Sequence, residues 1–346
     1  MKTRSHLPAR VVVALICLAL PLTAIAENAG SKKAKAPVKS AQAKEALQPA
    51  EEIMKRSSAF FAAPPFMLAE DVHDDIVKGA DVSFFLVSLQ SREGFAKGHL
   101  PGAVNIPFEE ITEGGSLKLV PRDRKIVFTC DDGHRSMMVS LYFNQLGYST
   151  TAMPMGLSHW NKAASGIASP YAGSAGYPVS TEKTEAAPGN RLAAFSSKAT
   201  KGEELVTERT TAVLRSGRSL FMDPSEAYEK TTKDGDKGIF LVSIQRPEDY
   251  AKGHVPGAIN IPFSELTKRE SLGRLPVDKK IVVVCYIGHI GAAATLFLNQ
   301  LGYEAYDLRF GTLGWNDATD GLGQMKGLFL GLAKGMDYPV EGDKAK

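Results

Sequence analysis

Short apolar runs recur along the chain. Phe84 to Ser88, Lys125 to Thr129, Ile239 to Ser243 and Lys280 to Val284 are each dominated by β-branched and aromatic residues and predict buried strands. A shorter strand is expected at Ala103 to Ile106 and again at Ala258 to Ile261. Helical stretches follow at Ser136 to Leu146 and Ala292 to Leu301, and both stop at Gly-Tyr, where glycine caps a helix. Strands alternating with helices predict an α/β fold, a mostly parallel sheet with helices on both faces.

The pattern is written twice. A shift of 155 residues aligns Phe85 to Asn161 with Phe240 to Asn316 without a gap, carrying Ala-Lys-Gly-His99 onto His254, Asn-Ile-Pro-Phe108 onto Phe263, Asn-Gln-Leu-Gly-Tyr148 onto Tyr303 and Trp160 onto Trp315. Two copies at so long a period mean duplicated globular domains rather than a solenoid. The expected organisation is a signal peptide at 1–26, a flexible leader at 27–48, one domain at 49–179, a linker at 180–204 and a second domain at 205–340. Gly321 to Gly335 has no first-copy equivalent of the same length; its five glycines and its Met, Leu and Phe residues predict a helix covering an apolar groove, or a movable lid or docking segment.

Composition excludes disordered, collagen-like and disulfide-framework chains: of 346 residues 44% are apolar and 23% charged, with 32 Gly and 19 Pro. Lys2, Arg4 and Arg10 precede the apolar run Val11 to Leu20, then Pro21 and Ala24-Ile25-Ala26, the order of a secretory signal rather than a spanning helix. Without those three residues, basic and acidic groups are equal at 38 each, which argues against a nucleic-acid partner. No later stretch has the length and apolarity of a stable membrane span, and the expected location is the periplasm. Cys17 lies in the apolar run after Leu15-Ile16, unlike a lipidation site.

Removal of Cys17 leaves Cys130 and Cys285, again 155 residues apart. Each ends a predicted strand just before a helix, where loop amides and the helix dipole favour an anion, so a lowered thiol pKa and nucleophilic sulfur are expected. The candidate catalytic residues are Cys285 and Cys130. The candidate binding residues are their loops, Tyr286, Ile287, Gly288, His289, Ile290 and Gly291 in the second copy and Asp131, Asp132, Gly133, His134, Arg135 and Ser136 in the first. No metal-ligand spacing and no phosphate-binding glycine loop occurs, so neither a metal nor an organic cofactor is expected.

These loops, together with His99-Leu-Pro-Gly-Ala, His254-Val-Pro-Gly-Ala, Gly156, Gly311, the two tryptophans and the closing Tyr177-Pro-Val and Tyr338-Pro-Val, resemble a tandem rhodanese-homology protein. The resemblance implies a sulfurtransferase: a cysteine takes sulfane sulfur from a donor such as thiosulfate, becomes a persulfide, and passes the sulfur to cyanide, a small thiol or a protein thiol. The dual-specificity phosphatases of the same fold carry a longer Cys-x5-Arg loop; here Arg135 stands five places after Cys130, a tighter loop suited to one sulfur atom.

The sequence departs from the family pattern where an Asp-x-Arg element is usual: Ser88 and Gln90, and Ser243 and Gln245, occupy those places. Asp131 and Asp132 disfavour a thiolate at Cys130, partly opposed by Arg135, so Cys285 is expected to be the better sulfur acceptor. His134 and His289 are candidates for bonding a donor, His99 and His254 for fixing a turn, and the tryptophans for core packing. Two other readings stay open: a noncatalytic sulfur carrier or interaction module, and a reversible disulfide between the two cysteines.

Overall fold

The computed structural model describes residues 48–186, 189 and 191–342. The expected signal peptide and nearly all of the leader lie outside the described residues, as does Pro188 of the expected linker.

The predicted runs form the central strands. β1 (Phe84–Ser88), β2 (Val104–Asn105), β3 (Lys125–Thr129) and β4 (Thr150–Ala152) make one sheet in the order β2-β1-β3-β4. β5 (Phe221–Met222), β6 (Ile239–Ser243), β7 (Ile259–Asn260), β8 (Lys280–Val284) and β9 (Glu304–Leu308) make the other, ordered β5-β9-β8-β6-β7. Every ladder is parallel, and the duplication extends to register: Ser88 pairs with Thr129, and Ser243 with Val284. Parallel strands need both faces covered, which explains their continuous apolar character.

Alternation along β3 and β8 sends Ile126, Phe128, Ile281 and Val283 toward one core shared by both copies, and that core also holds Cys130 and Cys285. Val127 faces an outer cluster with Trp160, and Val282 faces another with Trp315. The shared core is built on α1 (Pro49–Ala62), α2 (His134–Gln145), α3 (Gly202–Leu214) and α4 (His289–Gln300). α2 and α4 lie side by side in the same direction, with His134 near His289 at their starts and Gln145 bonded to Gln300 at their ends. Both begin two to three residues earlier than the sequence suggests, directly after a left-handed glycine, Gly133 (φ 88°) or Gly288 (φ 84°). α1 crosses between copies, and its Phe61 ring stacks on Phe263 at 4.4 Å.

The expectation that each Tyr-Pro-Val segment closes its own domain is corrected. Trp160 Nε1 donates to Pro339 O, and Trp315 Nε1 donates to Pro178 O, each at 2.7 Å. Asn161 and Asn316 likewise bond Tyr338 O and Tyr177 O. The two terminal straps are thus exchanged between copies, and the boundary between 49–179 and 205–340 is crossed by packing in both directions. The expected linker is not a free connector either: Ser180 and Thr184 bridge to His254 and Ile259, and Leu192 and Phe195 rest on the shared core. Residues Asp320–Met325 form 3-10 turns broken at Gly323, and α5 (Lys326–Lys334) follows.

Candidate functional site: two facing cysteine loops

Each cysteine leaves its strand and the chain turns back through a glycine, so that one amide points at sulfur. Gly133 N–H donates to Cys130 Sγ at 3.1 Å, and Gly288 N–H donates to Cys285 Sγ at 3.0 Å. The glycine is required twice over: φ is positive, and a Cβ on Gly133 or Gly288 would overlap the His289 or His134 ring of the opposite copy. Gly156 and Gly311 are needed for a similar reason, because a Cβ there would strike the carbonyl of Cys130 or Cys285. Those carbonyls instead accept from Leu157 N and Thr312 N at 2.8 Å.

The loops face one another across the middle of the protein. His134 Nε2 accepts from Phe310 N at 3.0 Å, which puts the proton of the neutral ring on Nδ1, 3.2 Å from Asp132 Oδ1. His289 Nε2 lies 3.3 Å from Met155 N and 3.0 Å from Asp132 O and serves one of them at a time. The two imidazoles are 5.2 Å apart, edge to face. Both histidines are therefore ties between copies, a correction to their expected role as donor ligands. Burial and the neighbouring His134 bring His289 down to about 3.

The expected lowering of the thiol pKa is also overturned. Cys130 is 2% exposed and Cys285 0%. Burial pushes Cys130 up to about 12, with Asp132 and Asp131 adding to the rise against the loop amides. Burial pushes Cys285 up to about 12 as well, and the added carboxyl is Asp307, reaching in from the end of β9. One amide bond and a helix start do not offset the loss of solvent around a sulfur anion. Both cysteines are free, with no disulfide between them.

The remaining loop residues divide by role. Asp132 is held well below the carboxylate range although burial opposes this, because His134 and Arg309 face it, with Arg309 Nη2 at 2.5 Å from Oδ2. Asp131 is raised to about 6 by burial and by Asp132. Arg135 points away, toward Glu109 and the Phe108 ring. Ser136 caps Gly133 O. The Tyr286 hydroxyl donates to Asp249 and accepts from Arg246 N, while Ile287 and Ile290 join apolar clusters. Gly291 leaves room for Asp307 beside Cys285. Arg309 and Asp307 escaped the sequence reading because both act beyond the cysteine loops: Arg309 neutralises the opposite copy's acid, and Asp307 enters from another strand.

The neutral replacement of the usual ion pair is visible in both copies. Ser88 Oγ donates to Gln90 Oε1 and Gln90 Nε2 to Gly98 O, while Ser243 and Gln245 repeat this with Gly253 O. His99 and His254 fix their turns through Phe95 O and Tyr250 O. Over the second loop, Phe329 and Leu332 of α5 pack with Ile287, Phe310 and Met155. A cavity of about 130 Å³ under the end of α5 is bordered by Met155, Lys162, Tyr171 and Lys334. Among the described residues no group of acidic, histidine and cysteine side chains is arranged to hold a metal, and no helix is long and apolar enough to cross a membrane.

Comparison with known proteins places this architecture. The family model for the rhodanese-like domain matches residues 68–163 and 223–318. A putative sulfurtransferase of Bacillus subtilis, YtwF, is 32% identical over 81 residues, 23% of this chain and 77% of its own length. The thiosulfate sulfurtransferase GlpE of Shewanella oneidensis is 30% identical over 83 residues, 24% of this chain and 80% of its own length. A putative sulfur carrier protein of Bacillus subtilis, YrkF, is 27% identical over 79 residues, 23% of this chain and only 41% of its own length. The crystal structure of a thiosulfate sulfurtransferase from Pseudomonas aeruginosa aligns over 75% of this chain and 45% of that one, at 19% identity and a TM-score of 0.28. With two such domains spanning more than half its length, the chain belongs to the rhodanese-like domain family, a family of sulfurtransferase-type proteins.

Proposed function

We propose that this protein is an exported sulfurtransferase that moves sulfane sulfur from a donor such as thiosulfate to a thiol or cyanide through a persulfide on Cys285. The observation that carries the reading is the Gly288 amide, aimed at Cys285 Sγ from 3.0 Å at the head of α4. A sulfur that gains negative charge there meets a donor already in place. Cys130 has the same amide but faces two carboxyls, Asp131 and Asp132, with Asp132 Oδ1 at 3.6 Å and held ionised, whereas Cys285 faces Asp307 alone, so the share of turnover at Cys130 is smaller. Both cysteines are buried in this conformation, so a donor reaches Cys285 only when the packing around its loop, including Ile287 against α5, shifts. Export rests on residues 1–26 alone, with the periplasm as destination.

Intact mass after treatment with thiosulfate or polysulfide, then with cyanide, tests the reading. One added sulfur that cyanide removes with turnover is expected, lost in Cys285→Ser and largely kept in Cys130→Ser. Equal loss in both variants contradicts the assignment to Cys285, and a mature chain still carrying residues 1–26 contradicts export. The burial of both sulfurs favours a second reading, a carrier or interaction module that holds sulfur without turnover, which gives sulfur uptake but no catalytic release.

A further inference from the structure

The two copies differ at one buried place that the sulfur chemistry described above does not use. Position 152 is Ala, and its counterpart 155 residues on is Asp307. Asp307 is fully buried at the end of β9, and among the described residues neither carboxyl oxygen has a hydrogen-bond partner. An acid without a partner in such a site is costly to keep, so its retention calls for a use. Its surroundings are specific. A Cβ on Gly291 would collide with Oδ1 and lie 3.5 Å from Cys285 Sγ, so carboxyl and sulfur both border the space that the glycine leaves open. His134 Nε2 is 3.7 Å from Oδ2, but that nitrogen already accepts from Phe310 N. Of the other charged groups facing this corner, Arg309 is engaged with Asp132 and Ser169 O.

Building on the assignment of sulfur transfer to Cys285, we propose that Asp307 is the proton store of that site, so that carboxyl and thiol hold one proton between them. As the two groups close to hydrogen-bond distance across the space at Gly291, the Sγ–H bond breaks and the proton passes to the Asp307 carboxylate. The freed electron pair on sulfur bonds the sulfane sulfur of the donor, whose own S–S bond breaks with its pair leaving as sulfite or a thiolate. When an acceptor thiolate or cyanide takes the sulfane sulfur, the pair returns to Sγ and the proton returns from Asp307. No external oxidant or reductant enters. The first copy, with Ala152, lacks this device.

The test follows the pH dependence of iodoacetamide alkylation in the full chain carrying Cys130→Ser, alongside thiosulfate loading, both read by intact mass. A shared proton gives a plateau of reactivity around neutral pH, set by the carboxyl, before the alkaline rise of an ordinary thiol. In Asp307→Asn the plateau vanishes and the rate at pH 7 falls at least tenfold, leaving only the alkaline limb. Asp307→Ala, which installs the residue the first copy already accepts, repeats the loss if the amide does not fold. A parent chain with only the alkaline limb overturns the proposal without any variant, as does an unchanged plateau in both variants. Loading with no plateau sinks the proton store and spares sulfur transfer; a plateau with no loading does the reverse.

Discussion

Gln145 and Gln300 exchange their amide hydrogen bonds at 2.8 and 2.9 Å, each donating to the other across the line where α2 meets α4. Their second Nε2 bonds go to Ser57 and Thr210, so a fully satisfied polar cluster sits inside an apolar core. Truncating one member strands the other's buried groups. Gln145→Leu should therefore cost about 1–3 kcal/mol, and the double variant Gln145→Leu with Gln300→Leu should cost less than the two single leucine changes together. Urea unfolding of the four proteins checks this, and strictly additive losses would mean that the two amides act independently.

At the other end of the same helices, the His289 imidazole sets a pH dependence. His289 is neutral when folded because its value has dropped from 6.5 to about 3. The stability it confers is complete above about pH 6.5 and drains away as the pH falls toward about 3, roughly 2 kcal/mol of it by pH 5. His289→Gln removes this proton linkage. Between pH 7.5 and pH 5 its melting temperature should fall less than that of the parent, and parallel curves would refute the linkage.

Asp132 restrains Cys130 and at the same time anchors Arg309. Asp132→Asn should bring the Cys130 thiol down and speed its alkylation at fixed pH. It should also destabilise the fold by about 3 kcal/mol, because the largely buried Arg309 loses its buried counter-charge and keeps only the exposed Asp223 at 3.4 Å. Peptide mapping of the alkylated cysteine, together with a melting curve, reads both effects.

Gly288→Ala tests how tightly the loops abut. The residue is left-handed at φ 84°, and a Cβ would overlap His134 and press on Phe310 N. A loss of about 3 kcal/mol or more is expected, whereas Gly257→Ala, also left-handed but in open space, should lose about 1–2 kcal/mol. Comparable losses at both sites would mean that the facing loops separate easily.

The exchanged straps predict an asymmetric response to shortening. Ending the chain after Gly335 removes Pro339 O and Tyr338 from Trp160 and leaves Trp315 with Pro178. With Trp315→Phe, the shortened chain should show red-shifted, quenchable Trp160 emission. With Trp160→Phe, the emission of Trp315 should stay unchanged.

Much of this molecule was legible from its sequence. Continuous apolar runs marked β1, β3, β6 and β8 because strands covered on both faces have no polar side to show. The cysteine loops stood out through Cys-x-x-Gly-His, since glycine is demanded both by φ and by the histidine opposite. Strap exchange was hidden because two Tyr-Pro-Val segments are interchangeable as text, and nothing in either one assigns it to one tryptophan rather than the other. The raised thiols were hidden for a related reason: loop amides can be read locally, but the tertiary packing that removes water from the sulfurs cannot. Asp307 belongs to neither cysteine loop, and nothing in its immediate neighbours in the chain announces that it borders Cys285.

The strap exchange has a consequence for inheritance. Each half borrows its closing piece from its sibling, so neither can be shed, shuffled into another gene or left to decay without unroofing the survivor. Two fragments cut within 180–204 would each carry the clasp the other needs, and the pair should reassemble as a complementing couple rather than persist as separate modules.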